Sequence, residues 1–349
     1  MGKIELDNII FSLQKTGGIS IVWANLIRTL MNTGTDFRCL EYGCPENIHR
    51  TQLNIPQNNI IEKSDNGLIL KRYLSPKTST DTPTIFHSSY YRTVKSPLVK
   101  NVTTVHDFTY EYFTNGPRAW IHKWQKFKAI RHSDKIVCIS ENTRKDLLKF
   151  LPEISPPKVS VIYNGVSEDY HPISLVKSKL SDFLMFVGAR GGYKNFDFAV
   201  EIAAQSKKKL LICGAPLNDA ETKLLASRLG NSGFISHIRP SNKELNEYYN
   251  SVFALIYPSS YEGFGIPVLE AQRAGCPVLA LNASSIPEII GSDYPMLNQM
   301  STADAIKILH RFDQSSFRED IIRHGIENAN QYSWDKMGKE YIKLYNSMI

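Results

Sequence analysis

Short apolar runs alternate with helical patterns along the chain, and this alternation restricts the fold more than any other feature. Each run has the length and the β-branched or aromatic content of a strand buried on both faces. Parallel sheets covered by crossover helices give this rhythm, so we predict an α/β fold of two doubly wound, Rossmann-like domains. The predicted strands are 4–11, 37–42, 84–88, 102–106, 135–140 and 159–163, followed by 183–188, 209–214, 234–238, 253–258, 278–281 and 295–297.

The length of 349 residues also favours two domains over one. The turn signal Asn164-Gly165 follows a proline-rich segment and precedes a polar stretch, so we place the boundary there. The predicted domains are 1–165 and 166–330. Residues 331–349 form an amphipathic helix with Trp334, Met337, Tyr341, Leu344 and Tyr345 on one side.

Charge and cysteine content narrow the class of protein. A net charge of +7 indicates an anionic partner, such as a nucleotide phosphate, a lipid headgroup or a nucleic acid. The five cysteines form no C-x-x-C pair, so we interpret them as reduced core residues. No apolar run is long enough to span a membrane, and the N-terminus lacks the pattern of a signal peptide. We therefore expect a cytoplasmic protein.

The most informative segment is 261–270, which reads YEGFGIPVLE and follows the apolar run 253–258. Glycine and proline separate the run from a helical pattern, so a strand-to-helix turn is predicted, with Pro267 in the first helical turn. Free N–H groups at such a turn bind phosphate, and carboxylates accept hydrogen bonds from diols. Glu262 and Glu270 therefore suggest a nucleotide-sugar site, although cap and surface carboxylates would give the same letters.

This segment resembles the E-x7-E motif of retaining GT-B glycosyltransferases of family GT4, the group 1 enzymes that include mannosyltransferases. The resemblance implies two Rossmann-like domains that face a central cleft, and a terminal helix that returns to the first domain. It implies that Glu262 contacts the donor sugar, that Glu270 binds the ribose, and that the intervening backbone meets sugar and phosphate. The donor-binding residues expected on this basis are Gly17, Gly18, Ile238, Gly263, Phe264, Gly265, Ile266, Val268 and Glu270.

Two further glycine-rich segments follow predicted first strands. Gly17 and Gly18 open the helical pattern 20–31, where the family places a loop over the donor phosphates and a simple turn is the alternative. There is no G-x-G-x-x-G, which argues against NAD. In the segment 187–195, Arg190 and Lys194 flank a Gly-Gly pair and can converge on a diphosphate. By resemblance they stabilise the leaving phosphate, with solvated loop cations as the alternative.

Polar residues at strand ends of the first domain are the candidates for the acceptor side. His106 resembles the active-site histidine of the family, and with Glu262, Lys194 and Arg190 it completes the predicted catalytic set. A lone histidine is more often structural, and the segment 140–143 has the pattern of a helix cap. The acceptor-side candidates are His87, Tyr90, Arg92, Asp107, Ser140 and Thr143.

A helical segment at 118–132 interleaves cations with Trp120, Trp124 and Phe127. The spacing puts the aromatic residues on one helical face, so one interpretation is a core stripe with a basic, solvated back. The alternative is a helix that lies on an anionic membrane surface, because tryptophan and lysine favour that interface. No nucleic-acid-binding module is visible, so we expect no nucleic acid partner.

Together these motifs predict a hexosyltransferase that uses a nucleotide-diphosphate sugar, of a GDP-mannose type, and the resemblance implies that the reaction retains the anomeric configuration. The expected acceptor is a glycan or lipid-linked saccharide of surface polysaccharide, either O-antigen or capsule. The chain has no D-x-D triplet, so we expect neither a metal nor another cofactor. The alternatives are a UDP-sugar transferase, a hydrolase or epimerase on the same fold, and a non-enzymatic basic protein that binds membranes or nucleic acid.

Overall fold

The computed structural model describes residues 3–43, 46–78, 82–174 and 179–348. The chain divides into two compact units, one of residues 1–165 with 333–349 and one of residues 166–332. Each unit is a parallel sheet with helical connections, which confirms the predicted α/β class and the Rossmann-like character of both halves.

The first unit contains a seven-stranded parallel sheet in the order β3-β2-β1-β4-β5-β6-β7. Its strands are β1 Lys3–Asp7, β2 Phe37–Tyr42, β3 Ile60–Lys63, β4 Thr84–Ser88, β5 Val99–Val105, β6 Lys135–Cys138 and β7 Val159–Val161. Its helices are α1 Ile9–Leu13, α2 Gly18–Asn32, α3 Ile48–Thr51, α4 Leu68–Lys71, α5 Thr109–Phe113, α6 Pro117–Arg131, α7 Glu141–Phe150 and the C-terminal α15 Trp334–Asn346.

The second unit contains a six-stranded parallel sheet in the order β10-β9-β8-β11-β12-β13. Its strands are β8 Phe183–Val187, β9 Lys209–Gly214, β10 Phe234–Ile238, β11 Ala254–Tyr257, β12 Val278–Leu281 and β13 Met296–Leu297. Its helices are α8 Phe196–Gln205, α9 Asp219–Leu229, α10 Asn242–Ser251, α11 Ile266–Arg273, α12 Ile286–Ile289, α13 Thr302–Phe312 and α14 Ser315–Ala329.

One predicted strand is too long, and one strand of the structure was not predicted. The run 4–11 was predicted as one strand, but β1 ends at Asp7 and Ile9–Leu13 is helical. A short apolar run does not by itself distinguish a strand from a buried helix, which explains this error. The edge strand Ile60–Lys63 was missed, because its residues are only partly buried and include two charged side chains.

The segment 118–132 is helical as predicted, but its buried face is not the aromatic one. Trp120 and Trp124 are 67% and 46% exposed, while Lys126 is fully buried. The interpretation of these aromatic residues as a core stripe is therefore wrong for both tryptophans. None of the described helices has both the length and the apolar character that a bilayer crossing requires.

Four cysteines (Cys39, Cys138, Cys213 and Cys276) are buried and free, as predicted for reduced core residues. The fifth, Cys44, lies outside the described residues. Burial raises the pKa of Cys39 to about 12, so this thiol stays protonated at neutral pH.

Helix α15 contributes to the core of the first unit. Met337, Tyr341, Leu344 and Tyr345 of its predicted apolar side are buried in one cluster with α2 and the sheet, and Trp334 packs against that cluster. At the start of this helix, Gly165 lies against the backbone of Ser333 and Trp334. A β-carbon at Gly165 would fall far inside van der Waals distance of the Trp334 backbone nitrogen.

We therefore expect Gly165→Ala to destabilise the protein by roughly 1–3 kcal/mol, because the backbone of α15 must shift to admit the methyl group. Urea unfolding measures this change. Gly191→Ala is the matched control, since a β-carbon there meets nothing within 4 Å and its φ of −80° suits alanine. Equal midpoints for the two variants would contradict the close approach at Gly165.

Candidate functional site

The strand order of the second sheet reverses between β8 and β11. From β8 the chain adds β9 and β10 on one side and then returns to place β11, β12 and β13 on the other. The connections after β8 and β11 therefore leave toward opposite faces, which opens a crevice at the carboxyl ends of these strands. Two of the predicted motifs, 187–195 and 261–270, follow these two strands.

Hydrogen bonds join the two loops on either side of this crevice. The Ser260 amide donates to the Tyr193 carbonyl at 2.8 Å, and the Asn195 side chain donates to the Pro258 carbonyl at 2.8 Å. Asn195 has φ +51°, a left-handed conformation that asparagine tolerates better than most residues. The loops therefore form one structural element.

Lys194 and Glu262 meet across these loops. Lys194 Nζ lies 2.6 Å from Glu262 Oε1, and their side chains are 16% and 11% exposed. The ammonium group also lies 5.7 Å from the centre of the Tyr257 ring. The structure thus places together the cation and the first carboxylate that the sequence assigned to one site, in an ion pair that solvent still reaches.

Two serines that sequence reasoning missed hold the turn that carries Glu262. The Glu262 amide donates to Ser284 Oγ at 2.7 Å, while Ser285 Oγ donates to the Glu262 and Phe264 carbonyls at 2.9 Å each. Ser284 itself has φ +50°. The available signal was a pair of serines that begins three residues after the end of a predicted buried strand, β12, whose carboxyl end reaches the same edge of the sheet.

Helix α11 begins at Ile266, with Pro267 in its first turn as predicted. Gly265 precedes it with φ +105°, and a β-carbon there would lie 2.7 Å from Ile286 Cδ1. A side chain at position 265 would be strained for both reasons. The eight-residue helix thus starts four residues after Glu262, at the end of the same turn.

Glu270 lies one turn inside α11 and is partly buried. Tyr249 Oη donates to Glu270 Oε2 at 3.1 Å. Burial raises the pKa of Glu270 to about 7, against hydrogen bonds from Tyr249 and Tyr170 that lower it. A substantial fraction of this carboxyl is therefore protonated at neutral pH, so it can accept or donate a hydrogen bond.

Three predicted contacts of the second unit require revision or remain open. Arg190 was assigned to a diphosphate, but its guanidinium donates to Glu221 Oε1 at 2.8 Å and to the carbonyls of Ala215 and Pro216 at 3.0 and 2.7 Å. It therefore ties the β8 loop to the start of α9. Val268 is fully buried and its amide donates to the Gly265 carbonyl, so it offers no group to a ligand. Ile238 is 53% exposed at the end of β10.

The remaining predicted contacts are compatible with backbone recognition. The Phe264 side chain is buried, whereas Gly263 and Ile266 are partly exposed in the turn. In the first unit, Gly17 immediately precedes α2 and Gly18 is its first residue, as predicted. A β-carbon at Gly18 would meet nothing within 4 Å, so the glycine there is not required by packing within the unit.

His106 and Asp107 directly follow β5, and both are partly buried. Burial lowers the pKa of His106, Asp107 opposes this shift and Lys126 adds to it, and the net result is a pKa of about 4. The imidazole is therefore neutral at physiological pH. Asp107 Oδ1 accepts a hydrogen bond from the Thr109 amide at 2.8 Å, where α5 begins.

His87 and Arg92 were predicted as acceptor contacts, and the structure corrects both. His87 is fully buried, with Nδ1 2.6 Å from Tyr345 Oη and Nε2 2.9 Å from Thr104 Oγ1. Arg92 is buried against Asp7, at 3.4 Å, and donates to the Leu74 carbonyl at 3.0 Å. Both side chains are framework residues because their polar atoms are used inside the unit.

The predicted acceptor contacts of Ser140 and Thr143 also require correction, because both residues are buried. Ser140 is the N-cap of α7, and its hydroxyl accepts from the Thr143 amide at 3.0 Å; both residues are fully buried. Tyr90 is partly buried, and its hydroxyl accepts from Arg72 at 2.5 Å. Of the acceptor-side candidates, only Tyr90 and Asp107 retain partly exposed side chains.

Comparison with protein families gives matches to both halves of the chain. Residues 16–170 match the model described as Glycosyltransferase Family 4, and residues 168–321 match Glycosyl transferases group 1. The chain belongs to the family 4, group 1 glycosyltransferases. The resemblance drawn from the E-x7-E segment is therefore confirmed.

Curated relatives of this glycosyltransferase include two bacterial enzymes. It is 25% identical to O-antigen chain mannosyltransferase B of Escherichia coli over 270 residues, which cover 71% of this chain and 70% of the relative. It is 26% identical to O-antigen chain mannosyltransferase RfbU of Salmonella typhimurium over 249 residues, 67% of this chain and 69% of the relative.

Solved structures confirm the GT-B fold of this glycosyltransferase. Anabaena Alr3699/HepE, in complex with UDP and glucose, matches with a TM-score of 0.77 at 13% identity, over 99% of this chain and 100% of that one. WaaG, a glycosyltransferase involved in lipopolysaccharide biosynthesis, matches with a TM-score of 0.68 at 15% identity, over 98% and 99%.

From the raised pKa of Glu270 we predict how the free energy of unfolding depends on pH. The native protein keeps this proton up to about pH 7, whereas the unfolded chain releases it near pH 4.5. The free energy of unfolding should therefore fall as pH rises through this window, by about 1–3 kcal/mol from this group. Urea unfolding of the parent and Glu270→Gln between pH 4.5 and 7 measures the difference.

Glu247→Gln, at an exposed position of α10, is the matched control and should leave the pH dependence unchanged. A Glu270→Gln variant whose unfolding free energy followed the parent at every pH would show that Glu270 titrates normally in the folded protein.

Proposed function

We propose that this glycosyltransferase moves a sugar from a nucleotide-diphosphate donor to a glycan or lipid-linked saccharide during O-antigen or capsule synthesis. The observation that carries the proposal is the assembly of Lys194, Glu262 and the start of α11 at the strand-order reversal of the second unit. A mannose-type donor linked to GDP is preferred because two curated relatives are named O-antigen mannosyltransferases. A UDP-sugar is the alternative.

In this proposal the donor diphosphate takes over Lys194 from Glu262. The ammonium group and the positive end of the α11 dipole stabilise the negative charge of the leaving nucleotide, which grows as the glycosidic bond breaks. Glu262, released from its ion pair, accepts a hydrogen bond from a hydroxyl group of the donor sugar. The ribose diol binds to Glu270, whose carboxyl can accept from one hydroxyl.

The chemical step is proposed to retain the anomeric configuration, by analogy with the family. His106 is the first-unit residue proposed to act on the donor sugar, since a neutral imidazole can accept a hydrogen bond from a hydroxyl. No metal is assigned a role. Among the described residues, no three His, Cys, Asp or Glu side chains form a cluster suited to a metal ion.

We expect Lys194→Ala and Glu270→Ala to weaken nucleoside-diphosphate binding by roughly 10- to 100-fold, since each removes a hydrogen bond to a charged or ionisable group. Isothermal calorimetry with GDP and UDP measures the affinity and identifies the base. Lys307→Ala, at a 76% exposed lysine in α13 of the same unit, is the matched control. Parent-like affinity in both site variants would remove the donor site from this crevice.

A donor-only incubation separates the transferase from a hydrolase or an epimerase on the same fold. A transferase should leave most of the sugar nucleotide intact until a saccharide acceptor is added, and NMR of the product then gives the anomeric configuration. Rapid loss of donor without acceptor would favour hydrolysis. Chelation with EDTA should leave the rate unchanged.

A second proposal is that the first unit associates with an anionic membrane surface through α6. Trp120, Ile121 and Trp124 are exposed on this helix, and a depression of about 460 Å³ is lined by Trp120, Trp124, Phe127 and by Lys123, Lys128 and Arg131. Lys128 Nζ lies 4.7 Å from the centre of the Trp124 ring. Such a mixture of indole rings and cations suits the headgroup region of a bilayer.

We expect the protein to sediment with phosphatidylglycerol vesicles at low ionic strength and to dissociate as salt screens the cations. The double variant Trp120→Ser/Trp124→Ser should bind several-fold more weakly. Met300→Ser removes a similarly exposed hydrophobic side chain from the second unit and serves as control. Unchanged sedimentation of the tryptophan variant would exclude α6 as the contact, and this outcome leaves the donor site unaffected.

A further inference from the structure

A wholly buried lysine lies behind the turn that follows β5. Lys126 of α6 is 0% exposed, and its Nζ lies 2.6 Å from Glu111 Oε2 of α5. The same ammonium group donates to the Asp107 carbonyl at 2.9 Å. Its charge also lies 4.3 Å from the centre of the Phe108 ring. Helix α6 therefore sends one cation inward while its tryptophans face outward.

This arrangement is costly as a means of stabilisation alone. Removing an ammonium and a carboxylate from water costs several kcal/mol per ion, and apolar side chains of similar volume often serve stability better. Glu111 Oε1 is buried with no hydrogen-bond partner among the described residues, so the ion pair leaves one buried carboxylate oxygen without a hydrogen bond. The lysine does, however, hold the carbonyl of Asp107, the residue after His106, by a hydrogen bond.

The charged and titratable groups around Lys126 and His106 come from the elements packed against them. Lys126 faces Glu111 of α5, Asp107 of the turn after β5, and Lys123 of its own helix. The charge of Asp107 raises the pKa of His106 and the charge of Lys126 lowers it. His106 in turn lowers the pKa of His87 in β4. His122, on α6, faces the same lysine and aspartate. Lys126 is the cation that acts on His106 from behind the turn.

We propose that Lys126 is a positioning residue that holds the Asp107 carbonyl and thereby fixes the turn that presents His106 to the substrate. The inference rests on the proposed function in taking His106 as a group of the chemical step. Burial is the main cause of the lowered pKa of His106; Lys126 acts in the same direction and Asp107 opposes it. Glu111 keeps the lysine charged and in place.

The test uses the full-length protein with Lys126→Met, Lys126→Met/Glu111→Gln and the exposed control Lys145→Met of α7. Three quantities are measured: the unfolding midpoint, the titration of His106 by NMR with labelled histidine, and kcat against pH. Lys126→Met alone should lower the midpoint, because it leaves Glu111 buried without its cation. The double variant should recover most of that loss.

If Lys126 positions the turn, the double variant still has kcat at least ~10-fold below the parent, and His106 titrates at higher pH than in the parent. The acid limb of its kcat profile then moves to higher pH, because the imidazole is protonated sooner. A double variant with parent-like kcat and His106 titration would overturn the proposal and make the pair purely structural. Lys145→Met should match the parent in all three measurements.

His106→Ala separates this inference from the proposed function. If that variant kept full kcat, the catalytic role of His106 would fail. If His106→Ala lost kcat but the Lys126→Met/Glu111→Gln variant kept it, only the positioning role would be rejected.

Discussion

The reversal of strand order in the second sheet is the constraint on which the candidate site depends. Parallel strands bring all their carboxyl ends to one edge, and the reversal between β8 and β11 leaves two adjacent loops there without a helix between them. Hydrogen bonds from Ser260 and Asn195 then join those loops. Lys194 and Glu262 meet for this reason, although 68 residues separate them in the chain.

Charge in this site is held close to balance. Lys194 is paired with Glu262, and Arg190 is paired with Glu221, so neither cation lies unpaired in the crevice. The raised pKa of Glu270 keeps part of its population neutral. In the donor complex proposed above, the diphosphate competes with Glu262 for Lys194. The released glutamate then binds hydroxyl groups of the donor sugar.

Most of the polar residues predicted at the strand ends of the first unit form hydrogen bonds within that unit. His87 links β4 to β5 and α15, Arg92 is engaged by Asp7, and Ser140 caps α7. Burying a polar group costs free energy unless it has a hydrogen-bond partner, and each of these side chains has partners inside the first unit. His106 differs because it remains partly exposed, and the carbonyl of the next residue, Asp107, accepts a hydrogen bond from Lys126, which is paired with Glu111.

The sequence by itself determined the two parallel-sheet halves and the strand-to-helix turn at 261–270, because apolar periodicity and glycine-proline punctuation are local properties of the chain. The family followed from the resemblance of the E-x7-E segment. Tertiary structure alone decided which polar side chains remain accessible. The sequence does not distinguish Lys194 from Arg190, or His106 from His87, since the members of each pair carry the same kind of group near the carboxyl end of a strand. Their partners come from residues far away in the chain, and burial against those partners makes Arg190 and His87 part of the framework.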